Sequence, residues 1–277
     1  MSSPFILHHS PVTADGAEPA TFLLVLHGIY GSGANWHTFA RKLVAQRPDW
    51  GALLVDLRMH GKSQAAPPPH DLAATTADLL ALTELCERER RPVRAILGHS
   101  FGGKVALRYR LHAPPSLAQT WVIDASPGAR EGALEQTDNL VARTLHVLAE
   151  LPAVFASRQE FVSALGERGY PAPVAHWLAK NLHRRADGRY QSRLQLDAIR
   201  ALLADYFRHD LWHALASGPG TVHFVVAGRS SALGPDERRR LAERAPSVAT
   251  TVIPDAGHWV HMDAPAQLLT TVAEQLP

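Results

Sequence analysis

The 277-residue sequence predicts an α/β architecture: a mostly parallel sheet flanked by helices, with one long helical segment set into it. Three observations predict this. Short apolar runs alternate with longer helix-compatible segments, the pattern of strands buried on both faces. The alternation stops between about 128 and 215, where amphipathic runs replace strands, and then resumes. Pro and Gly punctuation, "SPGAR" before and "SGPG" after, brackets the interruption.

In chain order, strands are expected at 5–9 ("FILHH") and 21–27 ("TFLLVLH"), a helix at about 36–46, and a third strand at 52–57 ("ALLVDL"). A helix at about 72–90 precedes the strand at 93–98 ("VRAILG"). A helix at about 101–112 separates that strand from the one at 120–124 ("TWVID"). The interruption carries "EQTDNLVARTLHVLAEL", "SRQEFVSALGERG", "PVAHWLAKNLHRR" and "QLDAIRALLADYFRH", each with helical apolar spacing. Strands at 222–228 ("VHFVVAG") and 250–253 ("TTVI") follow, served by helices at about 235–245 and 264–275. The expected organisation is a core of residues 1–127 and 216–277 with an all-helical cap at 128–215.

Composition narrows the class. Hydrophobic residues make up 46% and charged residues 19%, a globular balance in a chain long enough for a sizeable core. The formal net charge is +2, and "RRR" at 238–240 is flanked by Asp236, Glu237 and Glu243, as on a solvated helix face. No basic stretch is concentrated enough to track phosphates, so a nucleic-acid partner is not expected. The single cysteine, Cys86 in the helix-like "LLALTELCERE", excludes an internal disulfide and fits a reducing compartment. The N-terminal stretch lacks the basic and apolar regions of a signal peptide, and there is no run of about 18 apolar residues to span a membrane. A cytoplasmic protein is expected.

The chemistry-bearing stretch is "GHSFGG" at 98–103. Its G-x-S-x-G follows a strand and opens a helix, the setting in which a sharp turn exposes a serine hydroxyl above the sheet edge. Glycines at 98 and 102 let backbone approach backbone there, and the helix N-terminus favours developing negative charge beside Ser100. A serine needs a base, and of 16 histidines His258 stands out. In "IPDAGHWVHMDAP" it follows the last strand, in a loop at the same sheet edge. His261 lies nearer the next helix, where packing is the simpler role, and His99 points away from the serine hydroxyl. "LVLHGIYG" ends the second strand, so the N–H of Ile29, with that of Phe101, is placed to receive an oxyanion. Tyr30 borders the same pocket. For an acid to orient the histidine, Asp124 at the end of "TWVID" and Asp236 beyond the carboxylate-free turn "GRSSA" both qualify, Asp124 being better placed. Asp255 is too close in sequence to His258 to reach its far nitrogen.

With these residues in hand, "HGIYG", "DLRMHGKS", "GHSFGG" and "GHWVH" together resemble the α/β-hydrolase superfamily over nearly the whole chain. "GHSFGGKVAL", "VIDASPG" and "AGHWVH" resemble in particular the YbfF-type bacterial esterases and their mitochondrial relatives. That branch carries GHSMGGK, D-I-[AS]-P and GHWVH. The resemblance implies an α/β-hydrolase fold with its cap after the sixth strand, Ser100 as nucleophile, His258 as base and Asp124 as acid. It departs at Phe101, where methionine is usual, and at Ala125, where isoleucine is. In "DLRMHGKS", Asp56, Arg58 and His60 are expected to tie down a loop. The implied activity is a serine hydrolase cleaving short- to medium-chain acyl esters through an acyl-enzyme, without metal or cofactor. Thioester, lactone and C–C bond hydrolysis, acyl transfer, or a non-catalytic small-molecule receptor are the alternatives. Trp177 and Trp259 are candidates for the pocket wall, together with Phe155, Phe161, Leu178, Tyr206 and Phe207 of the cap. The partner is then a small acyl ester or thioester; oligomeric state leaves no mark in the sequence.

Overall fold

Apolar residues run unbroken along the central strands because both faces of the sheet are covered. The computed structural model describes residues 5–136, 139–244 and 247–277. The start of the N-terminal stretch, two residues of "EQTDNL" and the last residue of the helix expected at 235–245 lie outside these. The chain opens with β1 (His9–Val12), β2 (Thr21–Leu26), α1 (His37–Gln46), β3 (Trp50–Val55), α2 (Leu72–Arg88), β4 (Val93–His99), α3 (Phe101–Arg110) and β5 (Gln119–Ile123).

Residues 128–215 hold α4 (Leu140–Glu150), β6 (Val154–Phe155), α5 (Arg158–Gly166), α6 (Ala172–Leu178), β7 (Leu182–Arg184), β8 (Tyr190–Ser192) and α7 (Leu196–Arg208). The chain then returns through β9 (Thr221–Ala227), α8 (Pro235–Ala242), β10 (Val248–Ile253), α9 (Val260–Asp263) and α10 (Pro265–Gln275).

Seven strands form one sheet in the order β1-β3-β2-β4-β5-β9-β10. β1 runs antiparallel to β3, and the other neighbours are parallel. Successive side chains face opposite layers. Leu24, Leu26, Leu53, Val55 and Ile96 pack with α2 and α3, whereas Leu23, Val25, Leu54, Leu97 and Ile123 pack with α1 and α10. Parallel strands with helical crossovers send every strand-to-helix loop to the carboxyl edge. Ser100 follows β4 there, Asp124 follows β5, and His258 lies in the loop after β10.

Three expectations need correction. The stretch 128–215 is not all-helical, since β6, β8 and β7 form a small antiparallel sheet. Strands of two or three residues such as "VF", "LHR" and "YQS" are too short to show alternation, and "PVAHWLAKNLHRR" ends its helix at Leu178. The first strand is His9–Val12 rather than 5–9. The apolar "FIL" is core packing, with Leu7 buried, and the ladder partners of β3 are His9–Val12 after it. The segment leaves the sheet after the fifth strand of this chain rather than a sixth, β1 being the only antiparallel strand described at that edge. Among the described residues no helix is long and apolar enough to cross a membrane.

Lys104, in α3, joins that segment to the sheet layers. Its buried ammonium donates to the carbonyls of Gly128 (2.7 Å), Tyr206 (2.9 Å) and His209 (3.1 Å), near the two ends of the segment.

Candidate active site

The turn around Ser100 is built from strain and close approach. Ser100 has φ 54° and ψ −117°, a region that L residues avoid. Its N–H donates to the carbonyl of Ile123 at 2.9 Å, which fixes the turn to β5. A Cβ on Gly98 would stand 2.0 Å from the Gly102 carbonyl oxygen, and one on Gly102 would stand 2.6 Å from that of His27. Both glycines are therefore obligatory. Asp124 (φ 47°) and Tyr30 (φ 63°) share the left-handed region, so three of the five described non-glycine residues with positive φ border one site.

Ser100, His258 and Asp124 form a linear chain of hydrogen bonds. Asp124 Oδ2 lies 2.8 Å from His258 Nδ1, and His258 Nε2 lies 3.0 Å from Ser100 Oγ. A carboxylate only accepts, so Nδ1 carries the proton and Nε2 is free to accept from the hydroxyl. Asp124 is completely buried, and its Oδ1 accepts from the Ala227 N–H at 3.1 Å, at the end of β9. Both carboxylate oxygens are thus engaged and the side chain has one orientation. The loop carrying His258 is pinned as well. The Arg229 N–H donates to the carbonyl of Ala256 (2.9 Å), and the Gly257 N–H to Asp263 (3.0 Å).

The rival groups lie elsewhere. Asp236, the alternative acid, stands on the first turn of α8, paired with Arg239 and 91% exposed, and has no hydrogen bond to His258. Asp255 pairs with Arg229 at the surface. His261 stacks on Trp36 with ring centroids 4.5 Å apart, and burial pulls its pKa down to about 4. His99 turns from the hydroxyl, its Nε2–H donating to the main-chain carbonyl of His258 at 2.8 Å. Burial, reinforced by the neighbouring imidazoles, keeps it neutral.

The loop after β2 is held by two neutral histidines. His27 donates Nδ1–H to the Gly28 carbonyl (2.7 Å) and accepts from the Leu57 N–H (3.0 Å). His60 accepts from the Tyr30 N–H (3.2 Å) and donates to the Arg58 carbonyl (2.8 Å). Burial pulls the pKa of His60 down to about 3. Asp56 accepts from the Gly33 and Lys62 N–H groups, and Arg58 forms a buried bidentate pair with Asp78, so the "DLRMHGKS" side chains tie down loops. The main-chain N–H groups of Ile29 and Phe101 have no acceptor among the described residues, and both residues line the cavity at Ser100. Cys86 is buried, its pKa pushed up to about 11 by desolvation.

Two cavities meet at Ser100 and His258. A narrow apolar crevice of about 40 Å³ is lined by Tyr30, Val174, Trp177 and Trp259. A larger chamber of about 390 Å³ is lined by the apolar Leu140, Leu203 and Phe207, by Tyr206, and by the polar Ser126, Arg130, Arg229 and Ser231. Phe155 and Phe161 pack edge to face with each other, and with Leu178 they belong to the buried core, not to either cavity wall. Sequence patterning does not reveal the polar wall. Arg130 and Arg229 sit in loops, where no periodicity marks orientation.

Comparisons with known proteins place this geometry in context. The model of the family described as Alpha/beta hydrolase family matches residues 23–271. Over 263 residues the chain is 28% identical to a zebrafish (Danio rerio) protein named sn-1-specific diacylglycerol lipase ABHD11, covering 93% of this chain and 79% of that one. Over 269 residues it is 25% identical to Esterase YbfF of Escherichia coli, covering 95% and 96%. A solved structure described as a marine microorganism esterase superposes with a TM-score of 0.79 at 24% identity, covering 98% of this chain and 99% of that one, a likeness of fold.

Proposed function

The chain belongs to the α/β-hydrolase family, and on that footing we propose that it is a carboxylic ester hydrolase working through an acyl-enzyme on Ser100. The carrying observation is the linear chain from Asp124 Oδ2 through His258 to Ser100 Oγ, at 2.8 and 3.0 Å. Ser100 Oγ attacks the ester carbonyl while His258 Nε2 takes its proton, and Asp124 stabilises the imidazolium. The Ile29 and Phe101 N–H groups receive the oxyanion. The intermediate collapses as His258 returns the proton to the leaving alcohol. Water, deprotonated by the same imidazole, then attacks the acyl-enzyme and frees Ser100.

The relatives named as lipase and esterase support ester cleavage. The crevice bordered by Tyr30, Trp177 and Trp259 supports a short- to medium-chain acyl group. Residues 128–215 act as a cap in this reading, because Val141, Trp177, Leu203 and Tyr206 from that segment close over both cavities. A p-nitrophenyl ester panel with Ser100→Ala, together with fluorophosphonate labelling of Ser100, tests the proposal. Loss of hydrolysis by several orders of magnitude and of labelling in the variant is expected. A variant that keeps most of its activity would sink it. A wild-type protein that neither labels nor hydrolyses would point to a receptor.

A further inference from the structure

The lining of the larger chamber has two chemistries. The segment 139–207 contributes Leu140, Val141, Leu203 and Phe207, a mainly apolar surface that also includes Asn139 and Tyr206. The loops after β5 and β9 contribute Arg130 and Arg229. Among the described residues the one carboxylate on the chamber wall is Asp124, which is completely buried and engaged by His258 and Ala227.

Arg130 Nη2 donates to Glu237 (2.7 Å) and to the Ala232 carbonyl (2.6 Å), and Arg229 Nη2 donates to Asp255 (2.7 Å). Glu237 and Asp255 do not line the chamber, so of each ion pair it is the arginine that borders it. Among the described residues, Nε and Nη1 of both guanidinium groups have no acceptor, so each keeps N–H donors free, and Arg229, whose Nη2 donates only once, keeps a paired edge as well.

The loop is also rigid. Arg238 holds the carbonyls of Ala227 (2.8 Å), Ser230 (2.7 Å) and Leu233 (2.9 Å), and the N–H of Gly228 donates to Ile253 (2.9 Å). Arg229 and the hydroxyl of Ser231 thus keep a fixed place on the chamber wall. Two arginines and a set of apolar side chains around one chamber, beside Ser100, match an ester with an apolar body and an anionic end.

We propose that the substrate carries an anionic group, a carboxylate or a phosphate, which docks against Arg130 and Arg229 while its ester lies at Ser100. This rests on the hydrolase reading above and specifies its substrate class. Planar guanidinium forks bind either oxyanion through paired charge-assisted hydrogen bonds.

The test compares matched esters that differ at one end, which is a neutral methyl ester, a carboxylate or a phosphate monoester. One series carries this end on the alcohol and a second carries it on the acyl chain. The readout is the ratio of kcat/KM for each anionic member to that of its neutral counterpart. In one series the ratio is expected to reach about tenfold, and to fall as salt is raised. The faster anionic member tells carboxylate from phosphate. Arg130→Gln and Arg229→Gln are each expected to cut the ratio several-fold, and Arg229→Glu to abolish the preference. Arg229 has a 69% exposed side chain, so its variants fold even if loss of Arg130 disturbs Glu237. A ratio near one in both series, or a preference that every variant keeps, overturns the inference while neutral-ester hydrolysis still upholds the hydrolase. Failure of all esters together with failure of Ser100 to label overturns both.

Discussion

The ring of His99 donates to the main-chain carbonyl of His258 at 2.8 Å, so the residue before Ser100 holds the loop that carries its hydrogen-bond partner. Strand β4 thereby positions both ends of the proposed proton transfer. Replacing His99 with Phe keeps the ring volume against Trp36 and removes the donor. His99→Phe is expected to lower kcat by about ten- to a hundredfold with little change in KM, since misplacement of a base by about 1 Å is costly. His99→Gln, which restores a donor, should recover part of the loss; equal kcat in all three proteins would refute the positioning role.

Asp124 and Asp236 separate cleanly in rate measurements. Asp124→Asn leaves a side chain that no longer enforces the Nδ1–H tautomer of His258 and should reduce kcat by about a thousandfold to ten-thousandfold. Asp236 is 91% exposed and paired only with Arg239, so Asp236→Asn should match the unsubstituted protein. Steady-state kinetics of the two variants side by side decides the matter.

Gly98→Ala should fail at the level of folding. The new Cβ would fall 2.0 Å from the Gly102 carbonyl oxygen, which the turn cannot move without displacing Ser100. A loss of about 3 kcal/mol or more, or no soluble protein, is expected. Gly166→Ala is the contrasting variant. It lies at the end of α5 with nothing within 4 Å of the new atom, and thermal unfolding should show it neutral or slightly stabilised.

Lys104→Met tests the tether between α3 and the segment 128–215. Three carbonyls need three N–H donors, which only the ammonium form supplies, although burial pulls the pKa of Lys104 down to about 7. Without it the carbonyls of Gly128, Tyr206 and His209 lose their partner, at about 1 kcal/mol each. Chemical denaturation should report roughly 3 kcal/mol of destabilisation. Hydrogen exchange should speed up at residues 206–209 and not in β2 or β3.

Buried neutral histidines predict the acid limb of stability. The pKa of His261 falls from 6.5 to about 4 in the folded protein, chiefly through desolvation. Above pH 6.5 neither folded nor unfolded form binds the proton; between 6.5 and about 4 only the unfolded chain does. Stability therefore falls as pH drops through that window, by up to about 1.4 kcal/mol per unit for each such group, and levels off below it. His60 and His99 act in the same direction. His261→Phe keeps the stack on Trp36 and removes one proton site. Its melting temperature should decline less between pH 6.5 and 4.5, and an unchanged slope would refute the assignment.

Much of this was legible in the sequence. The apolar runs for β2, β3, β4, β5, β9 and β10 mark buried strands because two covered faces demand unbroken hydrophobicity. "GHSFGG" and "GHWVH" single out Ser100 and His258 because a tight elbow tolerates only glycine at its close contacts, and because a loop after the last strand must reach the same sheet edge. The small sheet β6-β8-β7 was not legible, since strands this short leave no periodic trace.

The layered α/β plan and the reactive residue types at its carboxyl edge follow from local sequence pattern alone. The packing of distant loops brings Asp124, and not Asp236, to His258, and brings Arg130 and Arg229 to the border of one chamber. The physical reason is that apolar patterning is a local, periodic property set by burial. The orientation of a polar side chain in a loop is set by contacts with residues far away in the chain, such as the Ala227 N–H that holds Asp124.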